Sequence, residues 1–567
     1  PTLGRLNKLK FLPLERVFDA PNGLTCQLDS VKSTKATAMK ATVCQTHELS
    51  NGDLRRVTVG STPVLLARSG DNFYALGAFC SHSGAPLDQG LMHDGRIICP
   101  WHMASFAVQT GQQCEPPGLD SLTRYPLTVE GKDIIVEVPE EASVHRTLPM
   151  DTYRPKVDNR VFVILGAGIA GQMAAETLRQ EGYEGRLIMI TAEAEMPYRR
   201  TALSKGYLQS GSGGSLPILR SDSFFEEHGI EVWCDRTVTA VKPDEHSLTF
   251  TNGETLTYDQ LLLATGGKAR PLDVPGAHLD NIFTLHQAAD AAQILAAAEN
   301  AQRAVVVGSS FIGMEVAASL IQAGLAVTVV SPTAVPFEKI FGPAVGGRLQ
   351  KLHAEQGVEF CVGQKATQFL GDAAVESVVL ENGDSLPADL VVVGIGIQPA
   401  TDFIEAVDLH PGDGSVRVDA HLQAAPDVFA AGDVARYPDP RLGRDIRIEH
   451  WRLAAQHGRI AARNMLAQAV PFKGVPFFWT DQFSMSLQYV GHADDWDEVI
   501  IHGDLEAGEF MAFYVQAGQI LAVLANGYAQ QLIAIAELMG LGELPNAEAL
   551  QQGPIDWVDR LKHPVAA

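Results

Sequence analysis

Residues 161–180 read VFVILGAGIAGQMAAETLRQ, and this stretch decides the fold of the central part of the chain. Its five apolar residues, Val161–Leu165, predict a buried strand, and the amphipathic pattern after the glycines predicts a helix. Gly166, Gly168 and Gly171 form a G-x-G-x-x-G fingerprint, which allows a tight turn and brings a helix N-terminus close to a pyrophosphate. The stretch therefore predicts a dinucleotide-binding βα unit, although the same glycines also suit a simple strand–helix turn.

The pattern occurs a second time further along the chain. Ala304–Val307 predict a strand, and Gly308 and Gly313 keep the outer glycines of the fingerprint, whereas Ser310 replaces the middle one. Around both copies, apolar strands alternate with amphipathic helices, which is typical of an α/β sheet. Before them, short strands separated by turn residues predict a smaller all-β domain. The chain is therefore predicted to carry two dinucleotide-binding units behind a β domain.

Composition narrows the possible partners and the compartment. A net charge of −24 and a pI near 5.1 disfavour binding to nucleic acid or to an anionic membrane surface. No stretch approaches the roughly 18 consecutive apolar residues that a membrane-spanning helix needs. Seven dispersed cysteines do not form a disulfide framework and favour a reducing compartment. We therefore expect a cytoplasmic protein, monomeric or homodimeric, without a nucleic-acid or membrane partner.

Two short loops each combine one cysteine with one histidine. One residue separates Cys80 from His82, and two residues separate Cys99 from His102. A Rieske [2Fe–2S] cluster needs two thiolates on one iron and two imidazoles on the other, so these loops supply the complete ligand set. A zinc ion accepts the same four ligand types. The mixing of cysteine and histidine within each loop favours the Rieske cluster over zinc.

Four further positions, occupied by small or acidic residues, favour a flavin dinucleotide at the first fingerprint. One predicted strand ends in Thr265 and Gly266, where a bulky cofactor can approach the backbone. A later strand ends at Asp433, whose carboxylate can accept hydrogen bonds from a ribityl hydroxyl. Glu193 follows the strand after the fingerprint helix and is placed to bind an adenosine ribose.

Together with Pro197–Arg200 and Leu203–Lys205, these segments resemble the flavoprotein ferredoxin-reductase family, which has the glutathione-reductase fold. When the Cys–His loops are included, the chain from about residue 41 resembles the apoptosis-inducing-factor-like flavoproteins. The resemblance implies FAD, the Rieske cluster and NADH or NADPH as bound groups. The implied FAD-binding residues are Gly166, Gly168, Gly171, Glu193, Arg200, Lys205, Val238, Thr265, Gly266, Asp433 and Trp479.

The resemblance also implies a role for several of these side chains. Lys205 is expected near the reactive N5 of the flavin with Arg200 at the same end, and Val238 is expected to present its backbone to adenine. Trp479 is expected to close over the isoalloxazine. The disulfide reductases of this fold carry a cysteine pair in the region of Tyr198–Lys205, and no cysteine is present there. Chemistry of the glutathione-reductase type is therefore excluded.

At the second fingerprint, Gly308 and Gly313 are expected to bind the nicotinamide cofactor, and Glu315 matches a family glutamate close to the nicotinamide. Lys205 and Glu315 are therefore the candidate catalytic residues. Family members that prefer NADH carry an acid where this chain has Ser331. With no arginine nearby to bind a 2′-phosphate, NADH is favoured over NADPH, and a degenerate site that binds neither stays as an alternative.

The predicted fold is an all-β Rieske domain, then α/β FAD and NAD(P) domains of the glutathione-reductase type, then an α+β C-terminal domain. The expected divisions are an extension (1–40), the Rieske domain (41–140), a linker (141–157), the FAD domain in two parts (158–278 and 398–469), the NAD(P) domain (279–397) and the C-terminal domain (470–567).

The expected activity is transfer of electrons from NAD(P)H through FAD and the cluster to an external acceptor such as an oxygenase or cytochrome. A Rieske oxygenase would need a further mononuclear iron site, and a nitrite reductase would need sirohaem ligation with further cysteines. A redox-signalling flavoprotein with slow turnover and a stable NADH complex is the alternative that remains.

Overall fold

The computed structural model describes residues 38–211 and 214–563. Its N-terminal unit consists of antiparallel strands, as predicted, and the first strand begins at Ala38, inside the predicted extension. Residues 1–37 of that extension lie outside the described residues. One sheet has, in spatial order, the strands Ala38–Gln45, Asp133–Pro139 and Leu127–Glu130, and a second has Arg124–Tyr125, Asn72–Gly77, Thr62–Ser69 and Leu54–Val59. A third sheet has the strands Leu91–His93, Arg96–Ile98, Ser105–Ala107 and Gln113–Glu115. A two-stranded sheet pairs His145–Arg146 with Ser121–Leu122.

The first fingerprint lies in a six-stranded sheet with a parallel centre. Val161–Leu165 is a central strand because its apolar residues are covered on both faces, with four of the five buried. Val428–Ala430 joins this sheet beside Gln260–Leu263, although the whole second nucleotide unit lies between them in sequence. The strand order is Ile230–Trp233, Arg186–Ile190, Val161–Leu165, Gln260–Leu263, Val428–Ala430 and Gln423–Ala425, and only the last is antiparallel.

Smaller elements surround this sheet. They are the helices Ile169–Gln180 and Asp222–Glu227, the antiparallel strands Val238–Lys242, Ser247–Phe250 and Thr255–Thr257, the pair Gly267–Ala269 with Ile397–Pro399, and the strands Val416–Arg417, Ala435–Asp439 and Arg444–Ile446.

The second fingerprint lies in a five-stranded parallel sheet of its own. In spatial order its strands are Ile282–Thr284, Leu390–Val393, Arg303–Val307, Ala326–Ser331 and Glu359–Val362. Its helices are Ala288–Ala298, Phe311–Gln322 and Glu338–Glu355, and a three-stranded sheet, Ala366–Leu370, Ser377–Leu380 and Ser385–Pro387, packs beside it.

The C-terminal unit combines one antiparallel sheet with short helices, as the α+β prediction requires. The strand order is Phe477–Gln482, Met485–Gly491, Gln519–Asn526, Glu509–Gln516 and Glu498–Asp504. The helices are Ala529–Leu541, Glu548–Gln551 and Trp557–Lys562, of which the first was predicted near residues 530–539.

One helix, Trp451–Met465, connects the N-terminal unit to the first nucleotide unit. It packs against the fingerprint helix on one side. On the other side, Arg452 donates to the carbonyl of Pro116 at 3.1 Å and Arg459 donates to the carbonyl of Cys114 at 2.5 Å. Because arginine donors satisfy backbone acceptors here, the N-terminal unit is held by directional bonds as well as by apolar packing.

Candidate active site

The two cysteine–histidine loops have the same hydrogen-bond pattern. The backbone N–H of Cys80 donates to the carbonyl of Ala85 at 2.9 Å, and that of Cys99 donates to the carbonyl of Ala104 at 2.8 Å. Within each loop a second bond returns to the cysteine carbonyl, from Gly84 in one and from Met103 in the other. The repeated turn points one cysteine and one histidine of each loop toward the same place.

The four predicted ligands meet there. Cys80 and Cys99 are each 1% exposed, and the Nδ1 atoms of His82 and His102 lie 2.9 Å apart. Burial, with a smaller contribution from Arg199, lowers the pKa of His82 to about 3. Burial likewise holds the pKa of His102 well below its usual range. Both imidazoles are therefore neutral at physiological pH, which is the form that binds iron.

The arrangement fits a two-iron centre. Among residues 38–211 and 214–563, no set of three or more His, Cys, Asp or Glu side chains surrounds one metal-ion position. A mononuclear zinc ion would need four donors within about 2.0–2.3 Å of one point. In a Rieske cluster each iron takes only two protein ligands, and Cys80 with Cys99 and His82 with His102 would supply these two pairs.

Trp479 is placed against the cluster ligands. Its ring lies with its centroid 4.0 Å from that of His102 and 5.7 Å from that of His82. The resemblance predicts that this indole closes over the isoalloxazine, and the structure adds the contact with both histidines, which the sequence did not predict. Trp479 lies on the strand Phe477–Gln482, so its backbone position is fixed by the C-terminal sheet.

The first fingerprint fits a dinucleotide. Gly166 has φ +118°, and a Cβ there would collide with the carbonyl of Ala264, while a Cβ on Gly171 would collide with the carbonyl of Gly166. These two glycines therefore permit close backbone packing. A Cβ on Gly168 or Gly266 would meet no atom within 4 Å, which leaves open space where the pyrophosphate and flavin are predicted. The fingerprint helix begins directly after Gly168.

Glu193 and Arg200 are joined in one polar network, although the resemblance assigns them to opposite ends of FAD. Arg200 donates to Glu193 at 2.5 Å, and the Tyr198 hydroxyl donates to the other carboxylate oxygen at 2.6 Å. Burial, reinforced by Glu449 and opposed by Arg447 and Arg200, raises the pKa of Asp433 to about 7. A hydroxyl-rich ribityl chain is a ligand that would stabilise the charged form of this carboxylate.

Three other predicted FAD-binding positions, Thr265, Gly266 and Val238, lie in or beside strands of the first nucleotide unit. The hydroxyl of Thr265 donates to the carbonyl of Ala400 at 2.9 Å, and the N–H of Ala400 donates to the carbonyl of Gly266 at 3.1 Å. These two bonds fix the turn at the end of the strand. Val238 is the first residue of Val238–Lys242, and its side chain is buried.

The two predicted catalytic residues form an ion pair. Lys205 Nζ lies 2.7 Å from Glu315 Oε2. The same carboxylate accepts hydrogen bonds from the hydroxyls of Ser204 at 2.6 Å and Thr480 at 2.8 Å, two residues that the sequence did not reveal. Lys205 lies inside the π-helical segment Leu203–Tyr207 with non-helical φ/ψ, a local form that is often found at functional sites.

Trp479 and Thr480 are neighbours on one strand and serve different parts of the site. Successive side chains of a strand point to opposite faces. Trp479 therefore reaches the histidines of the cluster site while Thr480 reaches Glu315. A single strand thus links the candidate catalytic pair to the candidate cluster.

A buried histidine continues this network. His353 Nε2 lies 2.9 Å from Gln482 Oε1, and Gln482 donates to the Thr480 hydroxyl at 2.9 Å. Burial lowers the pKa of His353 to about 4. The imidazole is therefore neutral in the folded protein at pH 7.

We expect acid to destabilise the protein through His353. Its pKa is 6.5 when unfolded and about 4 when folded, so the unfolded state binds the proton first and stability falls as the pH drops from 6.5 toward 4. The loss from this residue is up to about 3 kcal/mol. In thermal unfolding scans between pH 4 and pH 7, His353→Gln should show a shallower decline than the parent protein. Equal pH dependence in both proteins would contradict this assignment.

The second fingerprint has the geometry of the first. Gly308 has φ +114°, and a Cβ there would collide with the carbonyl of Gly394, while a Cβ on Gly313 would collide with the carbonyl of Gly308. Ser331 is 1% exposed, and its Oγ lies 2.6 Å from Ser309 Oγ and 2.8 Å from Thr333 Oγ1. The hydroxyl at the position predicted to contact the ribose is thus already bonded within the protein.

The Ser331→Glu variant should gain discrimination against NADPH and lose some stability, because its carboxylate replaces a hydroxyl that is 1% exposed and bonded to Ser309 and Thr333. A carboxylate near the 2′-phosphate costs on the order of 1–4 kcal/mol at surface-like dielectric, so kcat/KM for NADPH should fall about tenfold or more relative to NADH. Steady-state kinetics with both cofactors measure the ratio. A parent protein that already discriminates a thousandfold would show that another residue makes the distinction. Glu338, whose carboxylate accepts from the N–H of Ala334 at 2.8 Å, would then be tested first.

These features define a flavin- and nicotinamide-dependent oxidoreductase with a Rieske centre, and comparison with known proteins agrees. The chain belongs to the pyridine nucleotide-disulphide oxidoreductase family, whose pattern matches residues 160–458. Residues 39–126 match the Rieske [2Fe-2S] domain, and residues 477–557 match the reductase C-terminal domain.

The chain is 36% identical to apoptosis-inducing factor 3 of Mus musculus over 89% of this chain and 84% of that protein. It is 33% identical to the ferredoxin–NAD(+) reductase component of the anthranilate 1,2-dioxygenase system of Burkholderia cepacia, over 69% of this chain and 96% of that protein. The solved covalent putidaredoxin reductase–putidaredoxin complex matches with a TM-score of 0.66 and 30% identity, over 71% of this chain and 98% of that one.

The predicted family, fold class, enzyme class and bound groups are confirmed. The chain is an NAD(P)H-dependent oxidoreductase that uses FAD and a Rieske [2Fe–2S] cluster, and it passes electrons to an external acceptor. In the described part of the chain, no helix has the length and apolar character needed to span a bilayer. The residue-level assignments and the domain boundaries stay predictions.

Proposed function

We propose that this protein draws electrons from NADH and delivers them, through its own fixed Rieske centre, to a one-electron acceptor protein of the oxygenase or cytochrome type. Bound FAD accepts a hydride and releases electrons singly, which is the chemistry needed between a nicotinamide and an iron–sulfur cluster. The observation that carries the proposal is the position of Trp479, which contacts His102 from the strand that also provides Thr480 to Glu315. The relative from Burkholderia cepacia, named as the reductase component of a dioxygenase system, supports an oxygenase as the acceptor.

The chain's own residues have separable tasks in this scheme. Lys205 and Glu315 would hold charge and hydrogen bonds at the flavin end of the site. Gly166, Gly168 and Asp433 bind the dinucleotide. Trp479, in ring contact with the proposed cluster ligand His102, would provide the contact between the flavin end and the cluster.

Contacts across the N-terminal unit support a fixed cluster. Gln488 donates to the carbonyls of Pro100 at 2.9 Å and Trp101 at 2.6 Å, and Arg96 forms a 2.7 Å ion pair with Glu537. Met103, which follows the ligand His102, packs with the apolar residues of the C-terminal unit. Electron transfer from flavin to cluster is therefore proposed to need no movement of the N-terminal unit.

Anaerobic stopped-flow mixing with NADH, followed by optical spectra and freeze-quench EPR, tests the proposal. The flavin absorbance should bleach first, and the EPR signal of a reduced Rieske cluster should follow with a rate constant that does not depend on protein concentration. A cluster that stays oxidised after the flavin is reduced, or one whose rate rises with protein concentration, would refute an intramolecular route. Slow NADH oxidation with a long-lived reduced-flavin complex would instead support the redox-signalling alternative.

A further inference from the structure

Arg199 lies between the flavin unit and the cluster site and is not used by the scheme above. Its neighbour Arg200 turns toward Glu193, whereas Arg199 Nη2 donates to the carbonyl of His82 at 3.1 Å. The side chains of the two consecutive arginines therefore point to different sites, Arg200 to the predicted FAD site and Arg199 to the predicted cluster site.

The charge of Arg199 is not neutralised by an ion pair within residues 38–211 and 214–563. Arg200 pairs with Glu193, and the nearby Arg220 pairs with both Asp120 and Glu176. Burial lowers the pKa of Arg199, but a guanidinium keeps its proton in proteins. A positive charge is thus held in a partly desolvated place, where its field is weakly screened.

The positive charge of Arg199 lies on the side of the cluster site that carries His82. Arg199 lines a cavity of about 120 Å³ together with Ser81, His82, Asp120, Arg220 and Trp451. The carboxylate of Asp120 is already paired with Arg220 at 2.9 Å. The guanidinium of Arg199 and the ring of His82 thus line the same cavity, and the hydrogen bond from Arg199 to the carbonyl of His82 holds the positive charge beside this loop.

We propose that Arg199 is a positioning residue that raises the reduction potential of the Rieske cluster, by holding the His82 loop and by placing a positive charge beside the histidine-ligated iron. Reduction adds one electron to the cluster, and a nearby cation stabilises the more negative form. Arg199 thereby favours the passage of electrons from the flavin to the cluster. The inference rests on the proposed function, because it assumes that the cluster is the flavin's acceptor.

Three variants separate the charge from the hydrogen bond. Arg199→Gln keeps an N–H donor and loses the charge, Arg199→Lys keeps the charge, and Arg199→Met loses both. EPR-monitored redox titration of the FAD- and cluster-loaded protein should show that Gln and Met lower the potential by about 59 mV, which is a tenfold change in the one-electron equilibrium. Lys should stay close to the parent value. Arg96→Gln, which removes an arginine paired with Glu537 between the N-terminal and C-terminal units, is the control for loss of a positive charge and should leave the potential unchanged.

Several results would overturn the inference. An unchanged potential in both Arg199→Gln and Arg199→Met would show that the charge does not act on the cluster. Loss of FAD with an unchanged cluster potential would show that Arg199 binds the flavin cofactor instead. If the potential shifts as expected while the parent protein fails to reduce its cluster with NADH, then the proposed function fails and the role of Arg199 in setting the potential stands.

Discussion

The Cys99→Ala variant is expected to retain FAD, to lose the Rieske EPR signal, and to reduce cytochrome c at least about 100-fold more slowly than the parent protein, because the cluster cannot form without both thiolates. Cys99 is buried in contact with Cys80, and its loss would leave one iron with a single protein ligand. NADH-dependent bleaching of the flavin should continue at the parent rate, because the ion pair of Lys205 and Glu315 does not involve this loop. Stopped-flow and steady-state assays measure the two activities on the same preparation.

Cys114→Ala is the matched control for this experiment. Cys114 lies in the same N-terminal unit, and its Sγ contacts only the carbonyl of Gln112 among the hydrogen bonds of the described residues, at 3.5 Å. Its removal should leave the iron and sulfide content and the cytochrome c activity unchanged. If the Cys99→Ala protein, free of cluster, still reduces cytochrome c at the parent rate, then electrons leave directly from the flavin and the cluster is not the exit.

Features carried by short stretches of sequence could be predicted. In the two glycine fingerprints and the two cysteine–histidine loops, the residues that determine the local backbone lie within a few positions of one another. Gly166 and Gly308 have positive φ, and each cysteine–histidine loop turns tightly. Their folds and ligand types followed from local chemistry alone.

Contacts made between distant segments could not be predicted in this way. Trp479 lies more than 370 positions after His102, and nothing in either motif indicates that their rings lie 4.0 Å apart. Ser204 and Thr480 are unremarkable hydroxyl residues until the fold brings both to Glu315. The contact of Thr480 with Glu315 depends on the register of its strand, because a shift of one residue would turn the Thr480 side chain to the other face of the sheet.

At Met103, tertiary packing outweighs the local preference for glycine at a backbone position with positive φ. It follows His102 with φ +56°, a conformation that favours glycine, yet it is not glycine. Left-handed backbone costs roughly 1–2 kcal/mol for an L-residue. Burial of a methionine side chain stabilises by about 1.5–3 kcal/mol, and Met103 is 6% exposed against the apolar core of the C-terminal unit. Packing between units therefore offsets the strain of the ligand loop.

The Lys205→Met variant is expected to slow flavin reduction by NADH by about 100-fold while FAD content stays near the parent level, because a charge aimed at the reacting atoms is worth about 2.7–4 kcal/mol in comparable sites. The variant should also be less stable. Glu315 is 5% exposed, and without Lys205 its carboxylate keeps, among the residues that the structure describes, the hydroxyls of Ser204 and Thr480 as hydrogen-bond donors. Removal of one partner from a buried pair costs about 3–5 kcal/mol, and the 24% exposure of the Lys205 side chain places this case at the lower end.

The double variant Lys205→Met/Glu315→Gln separates the two effects. A neutral amide does not need the ammonium, so thermal stability should recover toward the parent value, while flavin reduction should stay slow because the charge at the flavin end is still missing. Recovery of both properties would mean that Lys205 serves only to neutralise Glu315. Loss of FAD from either variant, with a normal rate of reduction after reconstitution, would move Lys205 from the reacting end of the flavin to cofactor binding. Stopped-flow reduction and unfolding scans on the same two proteins therefore decide whether the buried ion pair acts in catalysis or in structure.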